Sequence, residues 1–173
     1  MCAIGHIARE TPKEPMPTLR FDRVDSPLGP MWVAETDAGV AAVSLAESLE
    51  SFLAPLRRRF PGHDLVPDAV DAAWVESLTA PRLDLTGLAS FDAAVYRAVA
   101  AIPAGETMTY GEVAALVGSP LAARAVGNAM ARCPLFPAVP CHRVVRASDG
   151  WSGWGGDPAI KRRLLLAERR GGR

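Results

Sequence analysis

No run in this 173-residue chain approaches the roughly eighteen consecutive apolar residues that a membrane-spanning helix requires, so no such helix is expected. Met1 to Pro17 has no apolar core of the kind that marks a secretory signal; instead His6, Arg9, Glu10, Lys13 and Glu14 sit there among three prolines. Residues 1–18 are expected to form a flexible or extended lead-in, and the protein to be cytoplasmic. Cysteine is scarce. Cys2, Cys133 and Cys141 are odd in number and scattered, which argues against a disulfide framework and for reduced thiols. Paired Cys-x-x-Cys spacing is missing, and a zinc site drawn from Cys133, Cys141 and His142 has no clear fourth ligand, so neither a metal nor a cofactor is expected. There is no internal repeat and no low-complexity tract.

Net charge is zero, and the proportions of apolar (49%) and charged (22%) residues are those of an ordinary globular chain. The zero conceals a segregation. Up to Asp84 there are 8 basic against 13 acidic residues, and from Leu85 onward 11 against 6. Such a split suits a two-part protein of which only the C-terminal part approaches phosphates. A basic tail at Arg169, Arg170 and Arg173 supplies part of it.

Three short runs, Leu19 to Asp25, Pro30 to Thr36 and Val40 to Leu45, are separated by turn signals at Ser26-Pro27-Leu28-Gly29 and Asp37-Ala38-Gly39, and read as a small antiparallel sheet. Glu47 to Phe60 has helical spacing, with Pro55 either kinking the helix or marking its start. Asp71 to Leu78 reads as a short helix capped by Asp71. A Pro/Leu-rich connector from Pro81 to Leu88 places the boundary between an N-terminal α/β domain (19–84) and a C-terminal domain (85–173). Beyond it, Ser90 is the expected cap of a helix from Phe91 to Ile102. Thr109-Tyr110-Gly111-Glu112 has the form of a capping box, opening a helix to Val117. After Gly118, Ser119 and Pro120 supply an N-cap and first-turn proline for a helix from Pro120 to Ala131. Two short helices about a tight glycine turn form a helix-turn-helix, the second being the recognition helix.

The stretch Val139-Pro140-Cys141-His142-Arg143-Val144-Val145 reads as extended and sets a thiol beside an imidazole and a guanidinium. A thiol is a nucleophile once deprotonated, and a nearby base or positive charge assists. Neighbours along a strand face opposite ways, so a water rather than direct contact would join Cys141 to His142. The Cys-Gly-Ser-Cys-Trp signature of papain-like proteases is absent.

Pro-Cys-His-Arg-Val, preceded by a helix-turn-helix carrying Ala-Arg-Ala-Val-Gly, resembles the O6-alkylguanine-DNA alkyltransferases, also called methylated-DNA–protein-cysteine methyltransferases. The resemblance is close from Phe91 to Glu168 and holds only in outline before that. It implies an α+β protein: a small ribonuclease-H-like α/β domain followed by a mainly helical, winged-helix-like domain. The implied reaction is DNA repair by direct reversal, an irreversible, once-only transfer of a methyl or other alkyl group from O6-alkylguanine, and from O4-alkylthymine, to Cys141. His142 would take the thiol proton through a water, Glu168 would orient His142, and Tyr110 would donate to the departing base. The partner would be double-stranded DNA containing O6-alkylguanine, met in the minor groove by a monomer. Small residues on the recognition helix, Ala122, Ala123, Ala125 and Gly127, would admit it closely, with Thr109 and Tyr110 beside them. Arg124 would enter the stack where the target base is flipped out. Met130, Pro140, Val144, Trp154, Gly155 and Gly156 would shape the alkyl pocket.

Two departures stand out. The family's Asn-Pro eight residues before the cysteine is Cys133-Pro134 here, and a thiol is a weak donor and acceptor, so a less firmly pinned active-site loop is expected. The family's Tyr in a Gly-Tyr-x-Gly-Gly loop is Trp154. Two other functions suit a helix-turn-helix. Alkyltransferase-like lesion binders lack the acceptor cysteine, which this chain has. A regulator of the adaptive-response type needs a further DNA- and metal-binding module, for which no residues are seen.

Overall fold

The structure, a computed structural model, describes residues 16–46, 48–77, 80–153 and 157–171. Most of the expected lead-in therefore lies outside the described residues. Strands β1 (Thr18–Val24), β2 (Met31–Thr36) and β3 (Gly39–Ser44) form the antiparallel meander read from the turns. The sheet is not purely antiparallel. A fourth strand, β4 (Asp64–Pro67), pairs parallel to β1, giving the order β3-β2-β1-β4. Its four residues, ending in a proline, are too few to announce a strand; pairing with the β1 edge makes it one.

At β2 and β3 both faces of the sheet are largely buried, which is why these two strands read as nearly continuous apolar runs. One face, with Leu19, Phe21, Ala34, Ala41 and Ala42, packs against Phe52, Leu53, Leu56 and Phe60 of α1 (Leu49–Arg59) and its C-cap. Ser48 caps this helix, so Pro55 lies in its interior and does not mark its start. The other face, with Met31, Val33, Val40 and Val43, joins a larger core with Val95, Val99, Val126, Met130, Leu135 and Cys141.

The Pro81 to Leu88 connector is tied to the sheet. Val40 N donates to Arg82 O and Asp84 N to Val40 O, both at 2.8 Å. Gly39, at φ +134°, is required there, because a Cβ would stand 2.4 Å from Arg82 O. Arg59 adds a clamp, donating to Ala41 O and Thr86 O at 2.6 Å and also to Asp84 O.

Helix α2 (Ala73–Ser77) is shorter than expected, although Asp71 Oδ1 does accept from Ala73 N. Helix α3 (Ser90–Ala100) begins at Ser90 itself; its N-cap is Ala89, with no side-chain cap. Helix α4 (Tyr110–Leu116) carries the expected capping box between Thr109 and Glu112. Helix α5 (Ala123–Ala131) starts three residues later than expected, because Ser119 and Pro120 open a turn closed by Ala122 N donating to Ser119 O. Gly118 takes φ +74° as α4 ends. Arg132 grips the buried Asp92 of α3 through Nε (2.8 Å) and Nη2 (2.7 Å), fixing the α5 C-terminus.

The chemistry-bearing stretch is not extended as expected. Cys141–Arg143 forms a 3₁₀ turn, and β6 (Val144–Val145) follows, paired parallel to β5 (Met108–Thr109). Helix α6 (Pro158–Gly171) follows. No helix of the described residues is long and apolar enough to cross a membrane.

Candidate active site

The β5–β6 pairing sets the register of the site. Met108 opposes Val144 and Thr109 opposes Val145, so the N-terminus of α4, with Tyr110, is brought beside the 3₁₀ turn that holds Cys141. A 3₁₀ turn has about three residues per turn, so Cys141, His142 and Arg143 point in three directions.

Cys141 is fully buried, and its thiol is held well above the usual range, first by hydrogen bonding with the Cys133 thiol and then by burial; Lys161 works in the opposite sense. The thiol is therefore protonated at rest, and its proton must leave as the sulfur reacts.

His142 is 1% exposed. Its Nε2 meets Glu168 Oε1 at 2.8 Å. Glu168 also receives Arg143 Nη2 (2.8 Å), Arg143 Nε and the backbone N of Gly105. Burial alone would raise the Glu168 carboxyl, but the hydrogen bonds from His142 and Arg143 outweigh it and bring it down to about 2. An ionised carboxylate only accepts, so Nε2 carries the proton and Nδ1 keeps its lone pair. Nδ1 is buried and has no partner among the described residues. Burial lowers the His142 pKa more than Glu168 raises it, so the ring is a neutral base near pH 7. Arg143 holds the carboxylate in place with its own Nη1 anchored on Ile102 O at 2.6 Å.

Lys161 was not anticipated. It is 1% exposed, donates through Nζ to Val144 O (2.6 Å), Gly153 O (3.3 Å) and Ser152 O (3.4 Å), and is pushed down by burial to about 8. Its signal was present: Lys161, Leu164, Leu165 and Glu168 fall on one helical face, and a lysine within a buried stripe is conspicuous. Asp157 and Pro158, a cap and first-turn proline, likewise announced α6.

A cavity of about 480 Å³ opens between α5 and the segment around Gly153, lined by Tyr110, Arg124, Gly127, Asn128, Arg146 and Gly153, with Ala123 at its edge. Gly153 is at φ +98°, and a Cβ there would come within 2.6 Å of Tyr110 Oη, so only glycine admits the ring. Arg124 is exposed, Ala122, Ala123, Ala125 and Gly127 are half-buried, and Thr109 caps α4 beside them. Met130, Pro140 and Val144 are buried, Met130 and Val144 in the same core as Cys141, and do not line the open cavity. Trp154, Gly155 and Gly156 lie outside the described residues. Asn128 and Arg146 carried no distinctive sequence signal. No cluster of three or more His, Cys, Asp or Glu residues suited to a metal occurs among the described residues.

A buried thiol, a neutral imidazole fixed by a carboxylate and a guanidinium, and an adjoining helix-turn-helix define a protein that pairs cysteine nucleophilicity with a DNA-binding element. Residues 90–170 match the DNA-binding domain of 6-O-methylguanine DNA methyltransferase. The methylated-DNA–protein-cysteine methyltransferase of Mycobacterium bovis is 38% identical over 157 residues, covering 87% of this chain and 93% of that protein. The bifunctional transcriptional activator/DNA repair enzyme Ada of Escherichia coli is 35% identical over 87% of this chain but only 45% of its own length. The crystal structure of Mycobacterium tuberculosis OGT in complex with DNA matches with a TM-score of 0.68 at 34% identity, covering 87% of this chain and 93% of that one. The chain belongs to the methylated-DNA–protein-cysteine methyltransferase family of DNA-repair proteins.

Proposed function

We propose that this protein removes a methyl or other alkyl group from O6-alkylguanine, and from O4-alkylthymine, in duplex DNA by taking it onto Cys141 once per molecule. The observation that carries this reading is the buried Cys141 beside a His142 whose tautomer is set by Glu168 and Arg143. Helix α5 approaches the minor groove of double-stranded DNA through its small residues, and Arg124 takes the place of the flipped nucleotide. The base enters beside Tyr110. The sulfur attacks the alkyl carbon; the S–C bond forms as the C–O6 bond breaks and its electron pair stays on guanine. The thiol proton passes through a water to His142 Nδ1, and the Tyr110 hydroxyl protonates the departing base. Lys161, donating to Val144 O and Gly153 O, ties the residues after Cys141 to the segment facing Tyr110 and favours charge on the sulfur.

In this reading residues 85–173 bind DNA and accept the alkyl group, and residues 19–84 form a ribonuclease-H-like support for a winged-helix-like partner. Met130, Pro140 and Val144 back the thiol. The protein acts as a cytoplasmic monomer. A lesion binder without chemistry would have no use for the acceptor cysteine and its base. Intact-mass spectrometry and peptide mapping after incubation with O6-methylguanine duplex should find one methyl per chain, on Cys141. Repeated turnover, or a methyl on Cys133, would overturn the proposal.

A further inference from the structure

The lining of the Tyr110 cavity carries two cations and no acid, and the proposed reaction uses only one of the two. Arg124, in that reading, fills the gap left in the base stack. Arg146 has no part in it. Its place is set by the ladder that also sets Tyr110: β5 and β6 run parallel with Thr109 opposite Val145, so Tyr110 and Arg146 are the next residues on each side and leave the ladder at the same end. Beyond β6 the chain turns tightly, Arg146 N donating to Ser152 O and Arg146 O accepting from Gly150 N, both at 2.9 Å. The backbone of Arg146 is thereby fixed, while its side chain is exposed and makes no hydrogen bond or ion pair among the described residues. Asp149, the one acid in this turn, is engaged by the backbone amides of Trp151 (3.1 Å) and Ser152 (2.9 Å). An unpaired guanidinium on the wall of an acid-free cavity is a place for an anion.

We propose that Arg146 is a substrate-positioning residue that grips a phosphate flanking the flipped nucleotide and so holds the base in the cavity beside Tyr110. The inference rests on the flipped-base reading above. A base that leaves the duplex takes its sugar and both flanking phosphates with it, so an anion arrives at the rim of whatever cavity admits the base. The planar guanidinium offers parallel N–H donors that match two phosphate oxygens at once, which a point charge does not. The two arginines then divide the work. Arg124 closes the way back into the stack, whereas Arg146 binds the nucleotide itself, whether or not a duplex surrounds it. Because its Cα is tied to the same ladder as Tyr110, the phosphate is fixed relative to the hydroxyl that serves the departing base.

Full-length protein is reacted under single-turnover conditions with O6-benzyl-2′-deoxyguanosine and, separately, with its 3′,5′-bisphosphate, both at limiting concentration. Wild type should react at least fivefold faster with the bisphosphate. Arg146→Ala should bring the ratio of the two rates to within about twofold of one, and Arg146→Lys should keep part of the preference. A second measurement does not depend on chemistry. With Cys141→Ser in both proteins, so that the complex stays unreacted, Arg146→Ala should reduce the slope of log affinity for an O6-methylguanine duplex against log salt by about 0.9, the value of one phosphate contact. A rate ratio that survives Arg146→Ala, as it would if Arg146 only supported the fold, overturns the proposal, and so does an unchanged salt slope. Absence of benzyl transfer to Cys141 in wild type, with the salt slope still lowered by Arg146→Ala, would instead overturn the reading of the acceptor and leave the phosphate contact standing.

Discussion

Replacing Glu168 by Gln changes one charge and almost no volume at the residue on which the site converges. Arg143 and Glu168 side chains are 7% and 11% exposed, so the guanidinium loses its partner where water cannot replace it. Breaking a buried pair by removing one partner destabilises by about 3–5 kcal/mol. Glutamine keeps one acceptor oxygen and Ile102 O still binds Nη1, so the low end applies, about 3 kcal/mol. For a chain of this size that lowers the melting temperature by about 6–12 °C. The chemical effect is separate. A neutral amide no longer fixes the His142 tautomer, and methyl transfer should slow about 100-fold, the lower bound for losing a positioned base.

Two pH readouts distinguish this role from a merely structural one. Glu168 is held at about 2 against an ordinary 4.5, so its contribution to stability is fully present above 4.5 and disappears as pH falls toward 2. The stability gap between wild type and Glu168→Gln should therefore close over that interval. Glu168 also raises the His142 pKa against the larger effect of burial. Without it, the acid limb of the single-turnover rate profile should move to lower pH. Unchanged single-turnover rate and unchanged melting temperature at pH 7 would refute the relay as derived; a stability loss with normal rate and unmoved acid limb would reduce Glu168 to a structural anchor.

Arg124→Ala should slow repair of duplex DNA at least tenfold while leaving reaction with free O6-benzylguanine within about twofold, since only the duplex requires flipping; parallel rate measurements on the two substrates decide it, and equal slowing would mean that Arg124 serves the fold or the chemistry. Lys161→Met leaves three carbonyl groups without their shared donor, Val144 O foremost, and should lower stability by about 2–3 kcal/mol and slow transfer. Denaturant melts and single-turnover rates check this, and a variant as stable and fast as wild type would show that the buried ammonium holds nothing together.

Much of the site was legible in the chain order alone. The Pro-Cys-His-Arg run, the Thr109 to Glu112 capping box and the small-residue helix around Arg124 are local patterns, because capping, turn formation and side-chain chemistry depend on residues a few positions apart. The turns at Ser26 to Gly29 and Asp37 to Gly39 likewise placed β1, β2 and β3 within a residue of where they lie. Ser119 and Pro120 show the limit of local reading: two good helix openers form a turn instead, because α5 must begin where it can pack Val126 and Met130 into the core. Tertiary structure alone decided the rest. β4 exists through its pairing with β1, and the acceptor segment is a 3₁₀ turn because β6 must reach β5. Lys161 and Arg143 become part of the site only when α6 is laid against the 3₁₀ turn. Cys133 packs against the core that holds Cys141 because a loop folds back across eight positions of sequence. Separation along the chain says nothing of such meetings; the burial of apolar surface that brings the segments together does.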